Sequence, residues 1–201
     1  GLLWLPEDLR SLWEYHASAF KFHSGLSTPH TYSSQAWQWL ILGRPTSYFY
    51  ESPKLGSAGC TVKSCSEAIL NIGNPAIWWA FIPAILVGLF VFLLKRDWRF
   101  GALLLVFGAG YFPWFMYPTR TMFYFYALSF EPFLILLLAG ALGLCLSGAR
   151  GSVVRARVGV TVVVLYLVGV LVLSAYFMPL WTAQVIPYEQ WYSHMWFKSW
   201  I

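Results

Sequence analysis

The chain has 201 residues, 59% hydrophobic and only 10% charged, against roughly 25% charged in ordinary soluble domains. Its apolar residues gather in long blocks instead of alternating with polar ones, which excludes a single soluble core and points to a bilayer. The formal charge is +5, yet no basic face interleaved with aromatics occurs outside two short loops, so a nucleic-acid partner is excluded.

At the N-terminus, Leu9, Leu12, Trp13, His16 and Phe20 follow helical spacing, with Glu7 and Asp8 in the first turn and Ser24-Gly25 as a stop. The pattern predicts an amphipathic helix lying along the membrane surface or packed on the spans, with His16 in a structural role. Residues 27–40 are then dense in turn formers and aromatics, and Gly43-Arg44-Pro45 follows. Such a loop suits headgroup depth, where an amphipathic ring has one edge in lipid and one in water. It equally suits carbohydrate, whose C–H faces stack on indoles while His, Gln and Arg reach the hydroxyls. Both readings stand, and the second makes His30, Tyr32, Trp37, Trp39 and Arg44 candidate substrate contacts.

Cys60 and Cys65 flank a short polar loop and are expected to form a disulfide on the oxidising side of a membrane, with two free thiols as the alternative. Zinc is disfavoured, because His30 is the nearest histidine in sequence and no second CxxC-like pair exists. No metal constellation, phosphate-binding glycine loop or nucleophile elbow occurs, and no cofactor is expected.

Four stretches, 75–94, 100–117, 122–146 and 158–178, approach the roughly 20 apolar residues that cross a hydrocarbon core of about 30 Å. The second is the weakest, interrupted by Gly108, Gly110 and Pro113. Lys95-Arg96-Asp97, Pro118-Thr119-Arg120, Ser147-Gly148-Ala149-Arg150 and Pro179 end the four in turn. Gly101, Gly108, Gly110, Gly140 and Gly143 are spaced for close helix approach, and Cys145 reads as a small apolar filler.

The loop after the first span holds Lys95, Arg96 and Arg99 with Asp97, and the loop after the third holds Arg150, Arg155 and Arg157 with no acid. Elsewhere seven basic and seven acidic residues cancel, so the whole net charge lies in these two loops. Cytoplasmic loops carry an excess of Lys and Arg. The expected fold is therefore an all-α integral membrane protein: four transmembrane helices over 75–178, preceded by an extracytoplasmic segment, 1–74, with an amphipathic helix. A tail, 179–201, is extracytoplasmic too, which gives a multi-pass protein of the cell membrane with both ends outside. A chain that begins at Gly1 with no signal peptide, yet with its first segment outside, is expected to be preceded by further spans of the same polypeptide.

Several blocks resemble one family. Phe22-His23-Ser24-Gly25-Leu26, Pro29-His30-Thr31-Tyr32-Ser33-Ser34, Trp37-Gln38-Trp39-Leu40 and Gly43-Arg44-Pro45 resemble the segment before the last four spans of protein O-mannosyltransferases and their bacterial relatives. Gly110-Tyr111-Phe112-Pro113-Trp114-Phe115, Arg120-Thr121-Met122-Phe123-Tyr124-Phe125-Tyr126 and Glu131-Pro132-Phe133 are similar to that family's aromatic block near the outer end of its penultimate pair of spans. Thr182-Ala183-Gln184-Val185-Ile186-Pro187-Tyr188 and Met195-Trp196-Phe197-Lys198-Ser199-Trp200-Ile201 look like the C-terminus of actinobacterial members.

The resemblance implies a GT-C type glycosyltransferase that moves mannose from a polyprenyl-phosphate donor to Ser or Thr hydroxyls of secreted acceptor proteins. It implies that the catalytic acids lie in an early outer loop, so no catalytic residue is expected within these residues. Eukaryotic members insert a beta-trefoil domain before the last four spans; the outer segment here is too short for one, which favours a bacterial-type member. A lipid-phosphate donor needs a cation near its phosphate, and Arg120, the only basic residue between the second and third spans, is the candidate. A snorkelling anchor is the alternative for Arg120.

Glu131 is the only acid inside a span, nine residues after Met122, or roughly 13 Å along a helix. It reads as a structural partner for Arg120 or as a general base; if Pro132 marks a later helix start, it lies at the interface instead. The competing functions are a GT-C transferase with a lipid or glycan acceptor and a non-enzymatic membrane scaffold.

Overall fold

The computed structural model describes residues 4–147 and 152–201. Helix α1, Glu7–Ser24, forms where the spacing predicts it, with Glu7 and Asp8 in its first turn opposing the helix dipole. None of its residues is buried, and Leu12, Trp13 and Phe20 are all more than half exposed. His16 sits on this exposed helix with its ring edge-on to Tyr15.

A single turn, α2, Ala36–Trp39, follows, closed by a capping box in which the side chains of Gln35 and Gln38 each accept from the other's backbone N–H. Strands β1, Thr46–Glu51, and β2, Cys65–Asn71, pair antiparallel with an irregularity between Ser47 and Phe49. Near the far end of the chain, β3, Ile186–Pro187, adds to the other edge of β2, so the sheet order is β1-β2-β3. This small sheet was not predicted. Its strands are short, and β3 has two residues whose pairing depends on the tail folding back, which no local pattern announces.

Four apolar helices form the bundle. Helix α3, Pro75–Lys95, starts on Asn74, whose side chain accepts from the Ala76 N–H and donates to the Val170 carbonyl and the Ser174 hydroxyl. The start of α3 is thereby tied to α6. Helix α4, Trp98–Tyr111, is capped by Asp97, whose carboxylate also pairs with Arg99 at 2.8 Å. It runs on as a 3₁₀ turn, Phe112–Met116, where Pro113 lacks the N–H that an α-helix needs. Helix α5 is Glu131–Ser147 and α6 is Val153–Trp181.

Two predicted span boundaries are corrected. The third helix begins at Glu131, not Met122: Pro132 suits a first turn, and residues Tyr124–Ser129 form a 3₁₀ turn whose rings pack on their neighbours. The seventeen residues of α5 cover about 25 Å. The fourth helix passes through Pro179 and ends at Trp181, two residues before Ala183 takes a left-handed φ of 51°. The predicted Gly148-Ala149-Arg150 boundary lies outside the described residues.

Helix α3 packs against α4, α5 and α6, and α5 also contacts α4 and α6. Gly159 on α6 lies directly against the Cys145 carbonyl of α5, leaving no room for a Cβ. This closest helix approach was not among the predicted glycines, and Gly143 meets nothing nearby. Cys145 itself is exposed rather than a core filler.

Phe81, Leu134, Leu137, Phe177 and Leu180 fill the bundle centre, and Trp39, Leu42, Phe130 and Trp200 continue the same core into the cap of loops and sheet. The bundle's outward face is apolar, with Leu86, Phe90, Leu93, Leu165 and Leu171 all exposed, as lipid contact requires. The α4–α5 connection, the N-terminal segment and the tail cluster at one end of the bundle. Lys95, Arg96, Arg99, Arg155 and Arg157 occupy the connections at the other end or the turns beside them.

Tail residues Tyr188–Ser193 form helix α7, and Lys198–Trp200 make a last 3₁₀ turn. Trp200 donates its indole N–H to the Leu42 carbonyl. Buried His194 lies on the Tyr176 ring, with its two ring nitrogens at the carbonyls of Gln190 and Tyr176.

Candidate functional site

Backbone lacing holds the loop before α2 to the α4–α5 connection. The Thr121 N–H donates to the Leu26 carbonyl at 2.9 Å, the Ser34 N–H to the Met122 carbonyl at 2.8 Å, and the Gln35 side chain to the Pro118 carbonyl at 3.0 Å. Arg120 stands in the middle of this seam. Its Nε donates to the His23 carbonyl at 2.6 Å, and its guanidinium lies 5.1 Å from the Trp114 ring centroid and 5.3 Å from that of Tyr126. Trp114 and Tyr126 are themselves stacked at 4.9 Å.

Among the described residues, neither terminal nitrogen of Arg120 makes a hydrogen bond. Arg120 borders an open groove of about 600 Å³ lined by Phe20, His23, Pro113, Trp114, Tyr117 and Tyr126. The groove is thus an aromatic trough with one fixed cation, a combination suited to an amphiphile with an anionic head.

Arg44 is held differently. Its Nη1 donates to the carbonyls of Ser199 at 2.7 Å and Ile201 at 2.6 Å, its Nη2 to the Thr31 carbonyl at 2.8 Å, and its plane lies over Tyr32. These contacts pin the tail to the loop and leave little of the guanidinium for a ligand. Tyr32 borders a smaller pocket of about 290 Å³ with Tyr50, Tyr188, Trp191 and Trp200. His30 is exposed, accepts the Tyr32 N–H on Nδ1 and meets Phe123 edge-on.

Trp39 is corrected as a substrate contact. It is fully buried, surrounded by the rings of Tyr111, Trp114, Tyr126 and Phe130, and donates its indole N–H to the Ser34 hydroxyl at 2.9 Å. The alternation of Trp37 and Trp39 across a single helical turn accounts for this: one faces the core and the other is 57% exposed. Trp37 lines neither the Tyr32 pocket nor the Arg120 groove.

Glu131 does not pair with Arg120. Among the described residues the only ion pair is Arg99–Asp97, and Glu131, at the first residue of α5, borders a separate pocket with Tyr124, Asn71 and Trp181. The later helix start puts Glu131 at the end of the bundle, not within it. Tyr124 was missed as a candidate because, in sequence, it is one ring among many in an aromatic run. Burial, and next the Glu131 carboxylate beside it, hold its phenol well above its ordinary pKa, so it stays protonated.

Cys60 and Cys65 are joined as a disulfide, with Cα atoms 5.9 Å apart, across the loop that leads into β2. No cluster of three or more metal-ligating side chains occurs among the described residues.

A family model described as the "C-terminal four TMM region of protein-O-mannosyltransferase" matches residues 8–200. The chain belongs to the protein O-mannosyltransferase family.

Among its relatives are proteins named polyprenol-phosphate-mannose–protein mannosyltransferase. The one from Mycolicibacterium smegmatis is 34% identical over 204 residues, covering 100% of this chain and 39% of the relative. Those from Mycobacterium tuberculosis and Corynebacterium glutamicum are 34% and 35% identical, over 98% and 97% of this chain and 38% of each relative. The chain therefore spans about two-fifths of the length of the mannosyltransferases it matches. A solved structure of the S. cerevisiae protein O-mannosyltransferase complex bound to the sugar donor shares the fold, with a TM-score of 0.73 at 23% identity over 98% of this chain and 29% of that one. In the family's terms, the four helices are its C-terminal membrane region and the cap of loops and sheet packs on one end of it.

Proposed function

We propose that this chain is the C-terminal membrane region of a transferase that moves mannose from a polyprenyl-phosphate carrier to Ser or Thr hydroxyls of secreted proteins. The observation that carries the reading is Arg120, fixed by His23, Trp114 and Tyr126 at the rim of an aromatic groove, with its terminal nitrogens unengaged. The donor's phosphate sits on the guanidinium and its first isoprene units lie along Phe20, Pro113 and Tyr117. In the transfer step the acceptor hydroxyl attacks the anomeric carbon of mannose, the bond to the phosphate oxygen breaks, and polyprenyl phosphate leaves. Arg120 stabilises the charge that gathers on that phosphate. The acid and base of the step come from the part of the family's polypeptide that these residues do not cover, and no metal or cofactor is needed.

The cap end is the extracytoplasmic side of the cell membrane. The connections bearing Lys95, Arg96, Arg99, Arg155 and Arg157 face the cytoplasm, by the usual bias of Lys and Arg. Helix α1, with its apolar stripe uncovered, lies in the outer interface.

Membranes containing a polypeptide that carries this chain, given labelled polyprenyl-phosphate mannose and a Ser/Thr acceptor peptide, should transfer label to the peptide hydroxyls. Transfer to a lipid or glycan alone would replace the protein acceptor in this reading.

A further inference from the structure

A second pocket lies on the other side of the 3₁₀ turn from the Arg120 groove. It has a volume of about 310 Å³ and shares no lining residue with that groove: Tyr124 and Phe125 border one, and Tyr126 the other. Three polar groups with unused hydrogen-bonding capacity meet in it. Tyr124 is 3% exposed, and its Oη, packed beside Gly73, has no partner at normal hydrogen-bond geometry. Glu131 makes neither a hydrogen bond nor an ion pair among the described residues. Asn71 donates its amide to the Tyr48 hydroxyl at 3.0 Å, which leaves its side-chain oxygen open.

The rest of the wall offers carbon. The indole N–H groups of Trp78 and Trp181 are already engaged by the carbonyls of Trp39 and Ile72, so these rings present faces and edges only. The pocket thus supplies a carboxylate and an amide oxygen as acceptors, one phenol as a donor, and aromatic surface. A phosphate is refused, because the only charged group is an acid with no cation beside it. A chelated divalent ion is refused by the single carboxylate. A buried phenol without a partner is unfavourable, and a bound hydroxyl would relieve it.

We propose that this pocket binds one neutral hexose, whose hydroxyls donate to Glu131 and Asn71 and accept from Tyr124 while its C–H face rests on the indoles. The choice of a sugar among neutral polyols rests on the mannosyltransferase reading; the pocket's chemistry does not. The site is separate from the phosphate groove, so a sugar here is held independently of the donor's phosphate.

The test uses this chain in lipid nanodiscs with methyl α-D-mannopyranoside, read by saturation-transfer NMR and by quenching of tryptophan fluorescence. Saturable binding is expected, weakened about tenfold or more in Glu131→Gln and several-fold in Tyr124→Phe, a variant that keeps the ring and the melting temperature. Equal affinity in both variants, or no saturable binding by the native chain, overturns the proposal. So does ethanolamine binding with the same variant dependence in place of the sugar, since that would make the pocket an amine site. Polyprenyl phosphate titrated into the same samples separates the two readings. Intact lipid binding without sugar binding sinks only this site, whereas sugar binding without lipid binding sinks the phosphate groove.

Discussion

Replacing Trp39 tests whether the tandem tryptophans divide their roles as the structure has them. Trp39 is fully buried, packed by four other rings, and its indole N–H satisfies the buried Ser34 hydroxyl. Truncation to alanine removes the ring and leaves a cavity where the bundle core meets the cap, a loss of about 3–5 kcal/mol. For a chain of this size each kcal/mol moves the melting temperature by about 2–4 °C, so Trp39→Ala should melt roughly 6–20 °C lower. Trp39→Phe keeps most of the packing but orphans Ser34, which costs about 1–3 kcal/mol. Trp37→Ala, at a largely exposed side chain, should stay within about 0.5 kcal/mol of the parent. Near-UV circular dichroism during thermal unfolding in nanodiscs reads all three. If Trp39→Ala and Trp37→Ala melted together, Trp39 would not be the keystone between cap and bundle, and a surface role for it would return.

Arg44→Ala should release the tail, seen as faster amide exchange over residues 194–201, and Arg44→Lys should fail to restore it, because an ammonium cannot reach three carbonyls from a planar fork. Unchanged exchange would mean that Trp200 alone anchors the tail. Replacing Cys60 and Cys65 together by serine should cost about 2 kcal/mol by loop entropy and loosen the β1–β2 hairpin without altering the bundle; thiol labelling of the unreduced native chain would show the bond absent. Gly159→Ala forces α6 away from the Cys145 carbonyl and should destabilise the bundle by about 1–3 kcal/mol in an unfolding titration, while Gly143→Ala, with open space around it, should be neutral or better.

The membrane helices were legible because apolar blocks of bilayer length find few burial sites besides lipid, and the amphipathic α1 because its stripe is regular. The boundaries near proline were less so. Pro132 starts a helix and Pro179 is carried inside one, and the difference lies in what packs around each, which periodicity does not reveal. The sheet was hidden because β3 borrows its order from a strand more than a hundred residues earlier. Arg120 stood out by its isolation among apolar neighbours, whereas Arg44, equally promising as a residue type, turned out to hold backbone carbonyls. Trp39 and Tyr124 could not be sorted from the surrounding aromatics, since burial within a ring-rich run is decided by tertiary packing.

The most direct test of the account is the affinity of this chain in nanodiscs for polyprenyl phosphate, compared between the parent, Arg120→Lys and Arg120→Ala. A charge-assisted contact of about 1.5–3 kcal/mol predicts binding roughly ten- to a hundred-fold weaker in Arg120→Ala, with partial recovery in Arg120→Lys, affinity being compared below the lowered melting temperature that losing the His23, Trp114 and Tyr126 contacts brings. Equal affinity in all three would contradict the assignment of the aromatic groove as the donor phosphate site.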